Sequence, residues 1–245
     1  MTPLERIIRA EIAAAGPMRL DRYMQLCLGH PEHGYYPTRD PLGRAGDFTT
    51  APEISQMFGE LLGLWAAQVW LDLGRPAIRL VELGPGRGTL MADALRAARA
   101  VPGFAEAADV WLVETSPALC AAQARTVPRA RFADRLEDVA SGPMILLANE
   151  FFDALPVRQF HRRGGAWGER LVTAGEGGLV WALGPAPGGL PAAAPEGAVL
   201  ERSPAREAAA EALGARLAAE GGAALIIDYG AVPPPTGGGD TLQAR

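Results

Sequence analysis

The stretch Arg79-Leu80-Val81-Glu82-Leu83-Gly84-Pro85-Gly86-Arg87-Gly88-Thr89-Leu90 carries an apolar strand into a glycine-rich turn and then into a helix. That order is the sequence form of a nucleotide-type cofactor site. Without Cβ atoms, Gly84, Gly86 and Gly88 let the backbone turn sharply and approach a ligand, while the free N–H groups of the following helix favour negative charge. A dinucleotide fingerprint wants G-x-G-x-x-G or A, and here Thr89 follows Arg87-Gly88, so the match is to G-x-G-x-G. A second acid closes the next apolar run, Asp109-Val110-Trp111-Leu112-Val113-Glu114, where it is placed to accept hydrogen bonds from ribose hydroxyls. Glu114 lies thirty positions after Gly84, beyond the roughly 20 of dinucleotide binders, a difference that a longer helix absorbs. The competing reading is a tight βα turn with an incidental glutamate.

Working outward, 245 residues suffice for one large α/β domain with a sizeable core. The 49% apolar and 21% charged content is that of an ordinary globular protein. A net charge of −5 offers no general attraction to nucleic acid or to an anionic membrane, so neither is expected as a partner. Cys27 and Cys120 are far apart without C-x-x-C spacing and read as reduced residues. His30 and His33 flank Pro31 and Gly34 without a third ligand, so no metal is expected. The first residues, Met1 to Ile12, alternate charge with apolar positions and lack the apolar core of a secretory signal. No run approaches the roughly 18 apolar residues of a membrane span, and a cytoplasmic location is the default expectation.

Apolar spacing predicts helices at 4–15 and 53–73, the second opening at Thr50-Ala51-Pro52-Glu53, with a loop over 30–50 between them. From Arg79 onward short apolar runs near 79–84, 109–115, 130–133, 143–149 and 223–229 alternate with helical stretches, which implies βαβ units and a mostly parallel sheet. Residues 158–184 break that rhythm with glycine pairs between alternating runs and read as an inserted hairpin or two. The expected organisation is an N-terminal helical extension with a cofactor-lid loop over 1–74. A Rossmann-like domain follows over 75–245, with an insertion at 158–198 and an end that stops before its sheet is closed.

Motif I with its preceding Glu82 resembles that of class I S-adenosylmethionine (AdoMet) methyltransferases, whose cofactor has no pyrophosphate. A carboxylate there can hold the methionine ammonium directly or through water, whereas it would repel a phosphate. Three further blocks sharpen the resemblance: Gly46-Asp47-Phe48-Thr49-Thr50-Ala51-Pro52-Glu53, Ala148-Asn149-Glu150-Phe151-Phe152-Asp153-Ala154-Leu155-Pro156, and Gly239-Asp240-Thr241-Leu242-Gln243-Ala244. With His33-Gly34-Tyr35-Tyr36 they look like signature blocks of the MidA family, whose mitochondrial members are complex I assembly factors. The resemblance implies a class I methyltransferase fold, AdoMet as cofactor, and methylation of arginine in a protein substrate, a complex I-type subunit. It also implies that members continue for roughly a hundred residues past the last block, a length within ordinary domain size.

Within that frame the cofactor set expected is Glu82, Gly84, Gly86, Gly88, Glu114, Asp134, Asp47 and Thr50. Asp134 follows the third strand, near where an acid meets the adenine amino group, and Asp47 with Thr50 forms a lid. The alternative makes Thr50 a helix cap and Asp47 a turn residue. Asn149, Glu150 and Asp153 follow the fourth strand and are the expected catalytic set, since acids must hold a guanidinium and accept its proton. Phe151 and Phe152 either wall the methyl group or belong to the core. Two other functions stay open: a non-catalytic assembly module that keeps the AdoMet fold, and a small-molecule methyltransferase. A nicotinamide-dependent oxidoreductase shares the topology, but Thr89 and Glu82 disfavour it.

Overall fold

The computed structural model describes residues 1–38 and 50–229. In chain order these form α1 (Pro3–Ala15), β1 (Met18–Arg19), α2 (Leu20–Gly29), α3 (Tyr35–Thr38), α4 (Ala51–Ile54), α5 (Gln56–Asp72), β2 (Ile78–Leu83), α6 (Thr89–Ala98), α7 (Phe104–Ala107), β3 (Ala108–Val113), α8 (Pro117–Thr126), β4 (Arg131–Ala133), a 3-10 turn (Leu136–Asp138), β5 (Met144–Asn149), β6 (Arg158–Arg163), β7 (Ala166–Ala174), β8 (Leu179–Pro185), β9 (Val199–Arg202), α9 (Pro204–Glu220) and β10 (Gly222–Ile227). They fall into two compact units. One is built from Met1–Tyr35 and Leu155–Glu207, the other from Tyr36–Ala154 and Ala208–Asp228. The boundary expected at 74/75 falls inside the second unit, because α5 packs with the sheet that follows it.

The second unit is a parallel sheet in the order β10-β5-β2-β3-β4, with the strand that feeds the glycine turn at its centre. Alternation along each strand sends side chains to opposite faces, and both faces are covered. Ile78, Leu80, Val110, Leu112 and Ile145 meet Ala66, Ala67 and Trp70 of α5 with Met91 and Ala98 of α6. Val81, Leu83, Val113, Leu146 and Ala148 meet Leu213 of α9, with Leu217 packed alongside. On the first face α5 lies so close to α6 that a Cβ on Gly63 would sit 2.2 Å from the Ala94 carbonyl oxygen. Small residues at 59, 63, 66 and 67 make that approach possible.

The 53–73 helix predicted from spacing is two helices, broken at Ser55, whose φ of −140° and ψ of 114° are extended. α3 lies inside the 30–50 stretch expected as a loop, and α2 just before it; Leu20 and Leu26 on α2 are buried. The five predicted strands of the alternating region appear as β2, β3, β4, β5 and β10, each within two residues of its expected ends.

The first unit is an antiparallel sheet in the order β1-β7-β6-β9, with β8 on the other side of β7. β1 pairs Met18 with Val172, tying the N-terminal segment to the insertion. Ile8 and Ile12, one turn apart on α1, bury against Met18, Leu26 and Val172. Thr2 caps α1 by accepting from the Glu5 N–H at 3.1 Å, with Pro3 at the first helical position. Arg158 and Glu169 form a two-point ion pair across β6 and β7, both contacts 2.7 Å, with the Glu169 side chain 7% exposed.

Candidate active site

All three motif glycines take positive φ: +59° at Gly84, +56° at Gly86 and +80° at Gly88. Each is in the left-handed region that a Cβ makes costly. A Cβ on Gly84 would also meet the Phe151 ring at 2.9 Å, so the turn is a cradle that any side chain would fill. Gly88 is the N-cap of α6 and has no side chain with which to cap it. The capping acceptor comes from the sheet instead, because the Glu82 carboxylate accepts the backbone N–H of Met91, the third residue of α6. Glu82 is 3% exposed, its Oε2 has no hydrogen-bond partner, and burial pushes its pKa up to about 8.

Glu114 ends β3. Its Oε1 accepts the N–H groups of Thr115 and Ser116, each at 2.8 Å, and its Oε2 accepts from the Gln123 side-chain amide at 3.3 Å. Burial raises its pKa, and those donors oppose the rise. The same Gln123 nitrogen donates to the Gly86 carbonyl at 2.7 Å, so a fully buried amide joins the second acid to the glycine turn. Ser116 caps α8 with Pro117 at its first position, as its sequence predicts. Asp134 is exposed at the end of β4; with Glu114 its charge acts on the Cys120 thiol, whose pKa is raised first of all by burial.

Asn149 ends β5, and Glu150 and Asp153 follow it. Glu150 has φ +51°, left-handed backbone on a residue with a Cβ, which costs on the order of 1–3 kcal/mol and persists where surrounding structure imposes it. What imposes it is visible: the Glu150 N–H donates to the Ile227 carbonyl at 2.8 Å, and its carboxylate accepts from the Asn149 side chain and the Ala51 N–H. Its pKa is raised by burial and then by the charges of Asp153 and Asp228. Asp228 in turn accepts the Asp153 N–H at 3.0 Å. The Tyr36 phenol is raised by burial and by the charges of Asp153 and Glu114, which places it against this acidic group. Phe151 and Phe152 meet edge to face at 5.4 Å and pack on the core, and the Phe151 ring also lies against Gly84.

Thr50 precedes the short helix α4 in the N-cap position, yet its side chain makes no capping bond. The following residues hold the site instead. The Ala51 N–H reaches Glu150, while Glu53 accepts the Thr89 hydroxyl at 2.6 Å and lies 3.9 Å from the Arg87 guanidinium. Asp47 lies outside the described residues, as do Gly239 to Ala244.

The structure thus brings Glu82, Gly84, Gly86, Gly88, Glu114, Asn149, Glu150 and Asp153 to the carboxyl ends of β2, β3 and β5, where ligands of open parallel sheets collect. Asp134 sits at the corresponding end of β4, at the rim. Gln123 and Glu53 were not among the expected residues. Glu53 had a legible signal, an acid in the first turn of a helix beside the lid block; Gln123, a lone polar residue between alanines, had none.

The sequence matches over residues 61–245 the family described as "Putative S-adenosyl-L-methionine-dependent methyltransferase". It is 38% identical over 269 residues to the Mus musculus protein arginine methyltransferase NDUFAF7, mitochondrial, covering 94% of this chain and 60% of that protein. It is likewise 38% identical over 283 residues to the Drosophila melanogaster NDUFAF7 homolog, covering 98% of this chain and 62% of that one. A Burkholderia thailandensis protein solved with bound S-adenosyl-homocysteine superposes with a TM-score of 0.75 at 31% identity, over 87% of this chain and 59% of that chain. The chain therefore spans about three fifths of the length of the curated relatives it matches. These relatives also overturn the expected cytoplasmic location, since they are mitochondrial proteins. The charged, amphipathic pattern of Met1 to Ile12 does not choose among compartments. The parallel sheet is that of a class I methyltransferase, and the chain belongs to the MidA family of AdoMet-dependent methyltransferases.

Proposed function

We propose that the chain binds AdoMet at the glycine turn and methylates an arginine side chain of a protein, a complex I-type subunit. The observation that carries this reading is the convergence of a Cβ-free cradle, a half-buried ribose-type acid, Glu114, and a strained acid, Glu150, at the carboxyl ends of adjacent parallel strands. The residues present fit the cofactor. Gly84, Gly86 and Gly88 would admit it closely, Glu114 keeps acceptor capacity on Oε2, and Asp134, exposed after β4, would meet the adenine amino group. Glu82, whose Oε2 is buried without a partner, supports the turn through α6 and, on releasing its proton, would hold the methionine ammonium directly or through water. Thr50 and Asp47 are assigned to the lid, with α4 holding it to Thr89 and Glu150.

When bound, AdoMet supplies an electrophilic methyl group on sulfonium sulfur. The protein's part is to align and to exclude water. Glu150, Asp153 and Asn149 hold a guanidinium by charge and hydrogen bonds, leaving electron density on the attacking nitrogen. Glu150 then accepts the proton that this nitrogen loses. Its raised pKa makes it a better base than an ordinary carboxylate. Phe151 closes the side of the turn against water.

The relatives' names support arginine as the acceptor. The test is calorimetric titration of AdoMet into the chain, followed by mass spectrometry of arginine-containing peptides from complex I-type subunits. Binding that Gly86→Val abolishes, together with methylarginine, supports the proposal; binding without transfer to any arginine overturns it. That second outcome favours a non-catalytic assembly module that keeps the AdoMet fold.

A further inference from the structure

We propose that Gln123 is a positioning residue whose buried amide locks the glycine turn and the ribose-binding Glu114 into one unit, an inference that rests on the AdoMet reading of the site. The amide nitrogen has two donors and spends both: one on the Gly86 carbonyl at 2.7 Å, one on Glu114 Oε2 at 3.3 Å. Both partners are acceptors, so only this orientation of the amide satisfies them. Gln123 is 0% exposed, and its own Oε1 is buried without a hydrogen-bond partner. A buried acceptor left unpaired is costly, and a leucine or methionine would fill the same volume without that penalty. The amide is thus retained at a cost that packing does not explain.

The two bonds explain it. Glu114 Oε1 is saturated by the N–H groups of Thr115 and Ser116, so the direction of Oε2 is the remaining freedom of that carboxylate. Gln123 removes it, leaving Oε2 with a lone pair aimed in one direction. The other bond anchors Gly86, the middle glycine, whose φ of +56° leaves it without the stiffness of a side chain. α8 brings Gln123 against the turn closely enough that a Cβ on Gly88 would sit 3.6 Å from its Cγ. A ligand whose ribose hydroxyl uses Oε2 therefore meets an acceptor already placed relative to the glycine cradle, with less ordering left to do on binding.

The experiment compares S-adenosylhomocysteine with its 2′- and 3′-deoxy analogues, by calorimetry, on the parent chain and on Gln123→Leu. In the parent, loss of the hydroxyl that meets Glu114 weakens binding about tenfold or more, as for a hydrogen bond to a charged group. In Gln123→Leu all the ligands lose the anchored Gly86 turn, but S-adenosylhomocysteine loses several-fold more affinity than that deoxy analogue, so the discrimination collapses to within about threefold. A folded variant that discriminates as the parent does overturns the proposal, since a merely structural role would weaken all three ligands alike. A folded parent that binds none of the three refutes the AdoMet reading itself. Should Gln123→Leu fail to fold, Gln123→Met is used, and proton exchange of the Gln123 side-chain amide is followed by NMR on the parent. Slow exchange that one proton loses in Glu114→Ala supports the strut; fast exchange of both protons in the parent overturns it.

Discussion

Replacing Glu82 by Gln is expected to stabilise the protein at neutral pH while leaving it little changed in acid. The carboxyl is 3% exposed, no charged group bears on its ionisation among the described residues, and its pKa stands at about 8 against an ordinary 4.5. The folded state therefore holds a proton that the unfolded chain releases above 4.5. Stability is fullest below pH 4.5 and falls as pH rises toward 8, by up to about 1.4 kcal/mol per unit. Relative to the protonated form, that loss is on the order of 1 kcal/mol at pH 5 and on the order of 3 kcal/mol at pH 7. Glutamine keeps an oxygen for the Met91 N–H and carries no titrating group, so its advantage over the parent should grow by roughly 2 to 3 kcal/mol between those pH values. For a chain of this size that is on the order of 5–10 °C in Tm. Urea unfolding of parent and variant, in steps from pH 5 to pH 8, measures the difference. A pH-independent difference would refute the reasoning, because it would mean that Glu82 is ionised in the fold and paired with a cation.

Gly63→Leu should unfold the parallel-sheet unit or cost it about 3 kcal/mol or more, since its Cβ alone would lie 2.2 Å from the Ala94 carbonyl; a variant with unchanged Tm contradicts the close packing of α5 on α6. Glu53→Ala removes the Thr89 hydrogen bond and the Arg87 contact that hold α4, and about 1 kcal/mol lost there predicts roughly fivefold weaker S-adenosylhomocysteine binding in calorimetry. Unaltered affinity would detach α4 from the cofactor site. Glu150→Gln should bind S-adenosylhomocysteine within about threefold of the parent while methyl transfer falls about a hundredfold or more. In the parent, transfer should rise with pH through an inflection above 4.5, as Glu150 loses the proton that its raised pKa retains, and the variant should lack that limb. A parent profile that is flat from pH 4 to 8 removes Glu150 as the base.

Much of the parallel-sheet unit is legible in short windows. The apolar alternation of β2, β3 and β5, the glycines at 84, 86 and 88, and the Ser116-Pro117 cap of α8 are local properties, each decided within about ten residues. Where local reading failed, a neighbour in space had intervened. Ser55 breaks the 53–73 helix, leaving α4 free to place Ala51 and Glu53 on the site, and hydrophobic period alone carried no sign of that break. The strain at Glu150 could not be read either, because Glu is not a residue that announces a left-handed backbone; β10 imposes it through the Ile227 carbonyl.

The sequence by itself determined the strand-turn-helix, the parallel α/β class and the identity of the acids at the strand ends, since periodicity and glycine placement act through local sterics and burial. Only the tertiary structure decided what those acids do. It bound Glu114 to the turn through Gln123, thirty-seven residues from Gly86, and set Asp228 against the Asp153 amide across seventy-five residues. It also buried Glu82 deeply enough to hold its proton at neutral pH. Desolvation and hydrogen bonding depend on which groups packing brings together, and for residues so far apart no local pattern records that choice.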